Sequence, residues 1–245
     1  MTIDTIRRIN ELSAIIDAKN YLEIGVWKGQ VFNSLSFDGT KVAVDPRFKF
    51  DTQQYSSSKV LFYSTKSDKF FNGFRQDIKF DIVYLDGLHT YEQTFADLCN
   101  SLCFCRPESL ILIDDTLPSD MYSSLRSQEL CYEARRWSVQ DNVEVSQKWH
   151  GDTYKVLYLI NHYLRSYDYS TIVKSGNPQT VIWKRSLFNP EHKPPFKRFD
   201  NRELLHSLTE NLGSINYIKT MESYGNIYNL STEEDLFKYL REARK

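Results

Sequence analysis

Several things are scarce or missing in this chain. No apolar run approaches the length needed to cross a bilayer, and Met-Thr-Ile-Asp-Thr-Ile-Arg-Arg at the amino terminus has no apolar signal core behind its arginines. No membrane span is expected, and a cytoplasmic location is. Net charge is almost absent: 31 basic against 32 acidic residues leave −1 at pH 7, so there is no electrostatic case for nucleic acid or an anionic membrane as partner. Cysteine is sparse. Cys99, Cys103 and Cys105 are spaced four and two apart with no second cluster, which fits no common zinc pattern. They are expected as small apolar residues on the buried side of a helix, and Cys131 stands apart. Internal repeats are missing as well.

What is present is a globular composition, 41% hydrophobic and 26% charged over 245 residues, enough for one large domain or one domain with an extension. Ile6, Ile9, Leu12, Ile15 and Ile16 recur at helical spacing, so residues 4–18 form an amphipathic helix. Five short apolar runs follow, at 20–24, 41–45, 59–63, 80–86 and 109–115, and each reads as a buried strand. Helical segments lie between them: one opening at Gly29, one capped by Ser67, and one starting near Tyr91 with Thr90 and Gln93 at capping-box spacing. Strands alternating with helices imply crossovers and a largely parallel sheet. Residues 116–148 are polar and irregular and read as a partly helical loop over the strand ends. A helix over 152–165 and a hairpin of 170–174 with 180–184, turning at Ser175-Gly-Asn-Pro-Gln, close the domain. Prolines at 190, 194 and 195 place a boundary after residue 185, and 186–245 is expected as a mostly helical extension, with helices at 202–212 and 231–244. That extension is a candidate for contact between copies of the chain.

The chemistry begins at Tyr21-Leu-Glu-Ile-Gly-Val-Trp-Lys-Gly29, a strand that runs into a glycine turn. A dinucleotide fingerprint would need glycine at 27 and 30, where Trp27 and Gln30 stand. A P-loop needs Gly-Lys-Ser/Thr, whereas Gln-Val follows Gly29. Both phosphate readings fail. Glu23-x-Gly25-x-x-x-Gly29, with Asp45 ending the next strand, resembles the first motifs of the class I methyltransferases that use S-adenosylmethionine. The resemblance implies that the glycine loop approaches the methionine part of the cofactor, that Asp45 accepts from the ribose hydroxyls, and that Glu23 lies near the sulfonium or amino group. Gly25, Gly29, Ser67 and Asp86 join them as expected cofactor residues.

Asp86, Asp114 and Asp115 fall at strand ends on the same sheet edge as the glycine loop. Carboxylates converging there repel one another unless a cation fills the gap, and magnesium suits such oxygen donors. The set resembles the metal-dependent O-methyltransferases of the catechol type, with His89 where those enzymes carry a lysine base. Leu-Asp-Gly-Leu-His-Thr-Tyr-Glu, Ile-Asp-Asp-Thr-Leu-Pro-Ser-Asp and Trp149-His-Gly-Asp-Thr-Tyr-Lys155 are similar to the methyltransferase 24 branch, associated with sugars, surface glycans and secondary metabolites. The likeness covers residues 1–185, and it departs from the family at Arg106-Pro-Glu-Ser109, where a Lys-Pro-Gly-Gly turn is usual.

The expectation is therefore an α/β, Rossmann-like, doubly wound and mostly parallel seven-stranded sheet with a C-terminal antiparallel hairpin and a helical extension. It would act as an O-methyltransferase on a hydroxyl of a glycan or small polar metabolite, with S-adenosylmethionine and magnesium as cofactors, His89 as base and Asp86, Asp114 and Asp115 as metal ligands. Three alternatives stay open: transfer to oxygen or nitrogen without a metal, with His89 or His150 as base; strand-end acids that serve only the cofactor or cap the next segment; and a catalytically silent scaffold. His150 and Asp152 are candidates for the substrate mouth, Asp152 being equally placed to cap the next helix, and Lys155 is undecided between active-site and structural cation. Tyr91 and Trp27 are candidates for stacking or for the core.

Overall fold

The computed structural model describes residues 2–138, 146–174, 176–185 and 199–243. Its first helix, α1 (Thr2–Ile16), buries Ile9, Leu12 and Ile15 and leads into β1 (Tyr21–Ile24), all four residues of which are buried. There follow β2 (Lys41–Asp45), β3 (Val60–Ser64), α2 (Ser67–Gly73), β4 (Phe80–Leu85), α3 (Tyr91–Phe104), β5 (Cys105–Ile113), α4 (Gln128–Ser138), α5 (Val156–Tyr163), β6 (Tyr167–Ile172) and β7 (Gln179–Lys184). The chain continues through α6 (Arg202–Glu210), α7 (Tyr217–Tyr224), β8 (Leu230–Ser231) and α8 (Glu233–Ala243). Among the described residues no helix is long and apolar enough to cross a membrane.

The strands form one sheet in the order β3-β2-β1-β4-β5-β7-β6-β8. From β3 to β5 all pairs are parallel, and β7 is antiparallel to both β5 and β6. The chain winds outward one way from β1 through β2 and the other way from β4 through β5, which opens a crevice at the carboxyl ends of β1 and β4.

Seven strands were expected, and the sheet formed by the described residues has eight. The extra one comes from the C-terminal segment, where β8 pairs parallel to β6. Two residues are too few to leave a periodicity signal. Asn229 in the left-handed region (φ 47°) turns the chain into β8, and Ser170 Oγ donates to its carbonyl at 2.6 Å.

Alternation along each strand sends side chains to two cores. On one face Leu22, Ile24, Val83 and Ile111 pack with α3 and α5 and with Leu205, Leu208, Ile227 and Tyr228 of the C-terminal segment. On the other, Tyr21, Ile82, Tyr84 and Leu112 pack with α1 and with Leu236, Phe237 and Leu240 of α8. Each fully buried aliphatic side chain contributes roughly 1.5–3 kcal/mol, so residues 199–243 supply substantial parts of both cores. The expected boundary after residue 185 and prolines 190, 194 and 195 lie outside the described residues, as do Ser175 of the hairpin turn and Arg244 of the last helix.

Other expectations shift. The helix opening at Gly29 shrinks to one 3-10 turn, Phe32–Ser34, because Ser34 Oγ donates back to the Gln30 carbonyl at 2.8 Å and a polar turn follows. The helix over 152–165 splits into a 3-10 turn, Thr153–Lys155, and α5. Cys103 is exposed and Cys105 lies in β5, and of the four cysteines only Cys131 is buried. The last helix is capped one residue later than its Ser231–Glu234 spacing suggests: Thr232 Oγ1 accepts from the Asp235 amide at 3.1 Å.

Candidate active site

Gly25 leaves β1 at φ +86°, and a Cβ added there would lie 1.9 Å from the Asp86 carbonyl oxygen. The ends of β1 and β4 thus meet backbone to backbone, and the Asp86 amide donates to the Ile24 carbonyl at 2.8 Å. Asp45 organises the loop that follows. Its Oδ2 accepts from the amides of Val26 (2.9 Å) and Trp27 (2.8 Å), and its Oδ1 from that of Arg47 (2.7 Å). A carboxylate has about four acceptor sites, so one remains on Oδ1 for a ribose hydroxyl. Gly29, also at positive φ, packs against the Phe50 ring. Trp27 is exposed, with Lys28 Nζ 4.4 Å above its ring, and so is not a core residue.

Glu23 is buried on the α1 and α8 face, and Tyr21 Oη donates to it at 2.7 Å. Burial raises its pKa well above the ordinary carboxylate range. Ser67 is the first residue of α2 and makes no capping bond. It accepts instead from Gln93 Nε2 at 3.3 Å, and the same amide donates to Asp68 and Asp97. Gln93 is therefore not a capping-box partner. Burial lifts Asp97 to about 6. Asp97 went unread in the sequence, although an acid on the Leu98 side of α3 was its signal.

Across the crevice stand the acids. Asp86 follows β4, and Asp114 and Asp115 follow β5, Asp115 at φ +57°. The pair of aspartates divides its work. Asp114 Oδ2 accepts from Tyr84 Oη at 2.5 Å, and its Oδ1 from Asn177 (2.5 Å), Gln179 (3.2 Å) and the Asp115 amide (2.9 Å). Asp115 Oδ1 accepts from Asn177 at 2.7 Å, while Oδ2 lies 3.2 Å from His89 Nδ1. His89 Nε2 is 3.3 Å from Asp86 Oδ1. Asp86, His89 and Asp115 each offer one ligand atom within 4.8 Å of the others. Tyr84, Asn177 and Gln179 were not foreseen: Tyr84 hides in an apolar strand, and the two amides flank the hairpin turn.

The segment after α4 backs His89. Trp149 stacks on its ring at 4.9 Å, Gly151 at φ +64° packs against its carbonyl, and the Asp152 amide donates to that carbonyl at 3.2 Å. His150 is buried behind Asp115 at 3.7 Å, and burial lowers its pKa. Asp152 is buried too and caps α3 instead of its own helix, accepting from the Tyr91 amide at 3.2 Å. Neither lines the cavity. Lys155 is a structural cation, buried 3.7 Å from Asp152 and 5.4 Å above the half-buried Tyr91 ring.

Crowded charge sets the protonation of this centre. Burial, then Asp114, raises Asp86 to about 6, and the same two causes raise Asp115 well above the ordinary carboxylate range. Burial works to lower His89, but Asp86, Asp115 and Asp114 together reverse that and hold it at about 9. An imidazolium thus occupies the place of a counter-ion. A raised histidine pKa stabilises the fold fully below its unfolded value of 6.5 and loses that stabilisation as pH rises through 9. In cation-free protein the melting temperature is expected to fall from about pH 7.5 to about pH 9.5, with a shallower fall in His89→Gln. Equal slopes would refute the assignment.

One cavity of about 860 Å³ joins the two regions, with Gly25, Trp27, Asp45 and Ser67 at one end and His89, Trp149 and Asn177 at the other. Residues 22–116, which contain the expected cofactor residues, the strand-end acids and His89 but not His150 or Asp152, match a family model described as a methyltransferase domain, of the methyltransferase 24 type. This segment is a methyltransferase domain. The sheet that carries it has the Rossmann-like methyltransferase fold that the motifs implied. Cofactor-bound Rv0187 from MTB aligns with a TM-score of 0.53 at 15% identity, covering 76% of this chain and 81% of that one. The O-methyltransferase TomG from Streptomyces achromogenes, in complex with SAM, gives 0.48 at 13% identity over 72% and 78%. The O-methyltransferase from Bacillus cereus, in complex with SAH, gives 0.47 at 16% over 72% and 80%. No curated protein matches the chain. The match ends at Thr116, so Trp149, Asn177 and Gln179 come to the site from outside the matched segment.

Proposed function

We propose that this protein transfers the methyl group of S-adenosylmethionine to a hydroxyl oxygen of a neutral, polyol-like acceptor such as a sugar or glycan end, with magnesium held at the strand-end acids. The observation that carries the reading is the convergence of Asp86, His89 and Asp115 in the same cavity as the Gly25 loop. The donor set fits a divalent cation. His89 Nδ1 is buried and makes no hydrogen bond, although Asp115 Oδ2 is only 3.2 Å away. Two such atoms, close but not aligned with each other, suit a shared third partner. Asp86 and Asp115 would hold the cation beside His89, with Asp114 turned toward Tyr84, Asn177 and Gln179 behind them. A bound cation supplies Lewis acidity that lowers the pKa of an acceptor hydroxyl.

The chain's own residues supply the rest. Gly25 and Asp45 shape the loop for the methionine and ribose parts of the cofactor, with Gly29, Ser67 and Asp86 beside it and Glu23 behind the loop. Neutralising Asp86 and Asp115 returns His89 toward its ordinary range, where the uncharged ring accepts the hydroxyl proton. Trp149 stacks on that ring and keeps water from its outer side. Thr2, Thr5, Gln128, Gln147 and Asn177 line the acceptor end with uncharged hydrogen-bonding groups, whereas the lysines that line the cavity, Lys28 and Lys66, belong to the loops at the cofactor end. That distribution favours a neutral polyol over an acceptor bearing phosphates.

The test is formation of S-adenosylhomocysteine from a panel of sugars, with and without EDTA. EDTA is expected to abolish turnover and magnesium to restore it. Turnover that survives chelation would transfer the reading to metal-free catalysis, and cofactor binding without product from any acceptor would transfer it to a silent scaffold.

A further inference from the structure

We propose that Arg8 is a positioning residue for the acidic centre, and that through it the first turn of α8 sets how tightly that centre holds a divalent cation. The inference rests on the cation reading above and adds to it the two ends of the described chain.

Arg8 projects from α1 into the protein and is 0% exposed. A guanidinium has only donors, so each of its contacts fixes the direction of the group it meets. Arg8 Nε donates to Glu233 Oε1 of α8 at 2.7 Å. Arg8 Nη1 donates to the Asn177 carbonyl and to Gln179 Oε1, the latter at 2.7 Å. With its oxygen claimed by Arg8, the Gln179 amide must turn its nitrogen the other way, where it donates to Thr5 Oγ1 (2.9 Å) and Asp114 Oδ1 (3.2 Å). With its main-chain carbonyl held, the Asn177 backbone is anchored beside the acids, and from there its side-chain nitrogen reaches both Asp114 Oδ1 and Asp115 Oδ1.

The effect on the acids follows from counting acceptor sites. Asp114 Oδ1 takes three donors and Oδ2 takes Tyr84, which commits both of its oxygens to the protein. Asp115 is engaged on Oδ1 alone, so Oδ2 faces His89. Arg8 thus acts through the Gln179 amide and the Asn177 backbone on which carboxylate oxygens point into the cavity.

Glu233 is the charge that keeps Arg8 in this place. A buried arginine that loses a carboxylate partner is driven toward water or toward another anion, and either displacement releases the Gln179 amide that Arg8 holds on Asp114. Arg7 shares Glu233, donating to Oε1 at 3.0 Å, which ties the first turn of α8 to two consecutive residues of α1.

The experiment measures Mn²⁺ affinity, by the paramagnetic signal of free Mn²⁺, alongside S-adenosylhomocysteine affinity by calorimetry, on the full chain. Glu233→Gln and Arg8→Lys are expected to weaken Mn²⁺ binding by about tenfold or more, a partial loss of the kind seen when supporting partners of metal ligands are removed. S-Adenosylhomocysteine affinity should stay within about twofold, since none of these bonds reaches Gly25 or Asp45. Glu233→Asp, which keeps the charge, should bind Mn²⁺ within about threefold of the unaltered chain. If Arg8→Lys does not fold, the glutamate pair carries the test. Unchanged Mn²⁺ affinity in folded Glu233→Gln overturns the positioning role while leaving the cation reading intact. Parallel loss of both ligands overturns it as well, because the role would then be general support. Absence of Mn²⁺ binding by the unaltered chain overturns the cation reading first and this inference with it.

Discussion

Asp115→Ala is expected to slow methyl transfer by about a thousandfold, the scale on which a charge-organising group at a reacting centre acts, with S-adenosylmethionine affinity within about threefold. Of the two adjacent acids, Asp115 is the one with an oxygen directed at His89, at 3.2 Å, while Asp114 spends its oxygens on Tyr84, Asn177, Gln179 and the next amide. The same substitution removes one of three mutually repelling carboxylates. Asp115 is among the charges that hold His89 at about 9, so the ring is expected to titrate lower. Above about pH 9.5, where the His89 contribution is already lost, only the relieved repulsion remains, and the cation-free variant should melt at an equal or higher temperature than the parent. Loss of activity joined to gain of stability is the signature of a site that stores repulsion for a ligand. The measurements are initial rates of S-adenosylhomocysteine formation, cofactor titration, and thermal melts without added metal. A variant that keeps its rate, or one that loses cofactor affinity in step with rate, would show that Asp115 is not part of the acceptor side.

Gly25→Ala should abolish cofactor binding and destabilise the protein by about 3 kcal/mol or more. The added Cβ would lie 1.9 Å from the Asp86 carbonyl oxygen and 2.4 Å from the carbon that bears it. Neither is a side chain that can rotate away. Relief requires the carboxyl ends of β1 and β4 to separate, which removes the crevice wall and moves Asp86 away from His89. Gly73→Ala is the control, because a Cβ there meets nothing within 4 Å, and it should change neither property. Melting curves and S-adenosylhomocysteine titration on both variants decide the matter. Folded Gly25→Ala with ordinary cofactor affinity would mean that the loop is not the donor site.

Much of the scaffold was legible because its signals are local. Lys41-Val-Ala-Val-Asp45 is a five-residue apolar run ended by an acid, and its strand begins and ends at those residues. Asp86, His89, Asp114 and Asp115 were readable as strand-end residues on one edge because the order of strands and helices determines that edge. What stayed hidden depends on partners far away in sequence. Asp152 was readable as a cap, but its partner is the Tyr91 amide of another helix. Thr90 and Gln93 have the right spacing for a capping box, yet Gln93 finds its acceptors on α2, at Ser67 and Asp68, and one turn on in its own helix, at Asp97. In the sequence Arg8 is one of two adjacent arginines within an amphipathic helix. No periodicity marks it as buried, because what makes its burial tolerable is an acid near the other end of the chain.

That distance has a consequence in time. Arg8 and Glu233 are separated by 225 positions, and a ribosome adding about 5–20 residues per second needs roughly 10–45 s to cover them. The strands that carry Asp86, Asp114 and Asp115 emerge well before α8, so the acids can gather on a sheet whose final strut has not been synthesised. Emergence of α8, and not the folding of the matched segment alone, is the event that brings the acidic centre to its finished geometry.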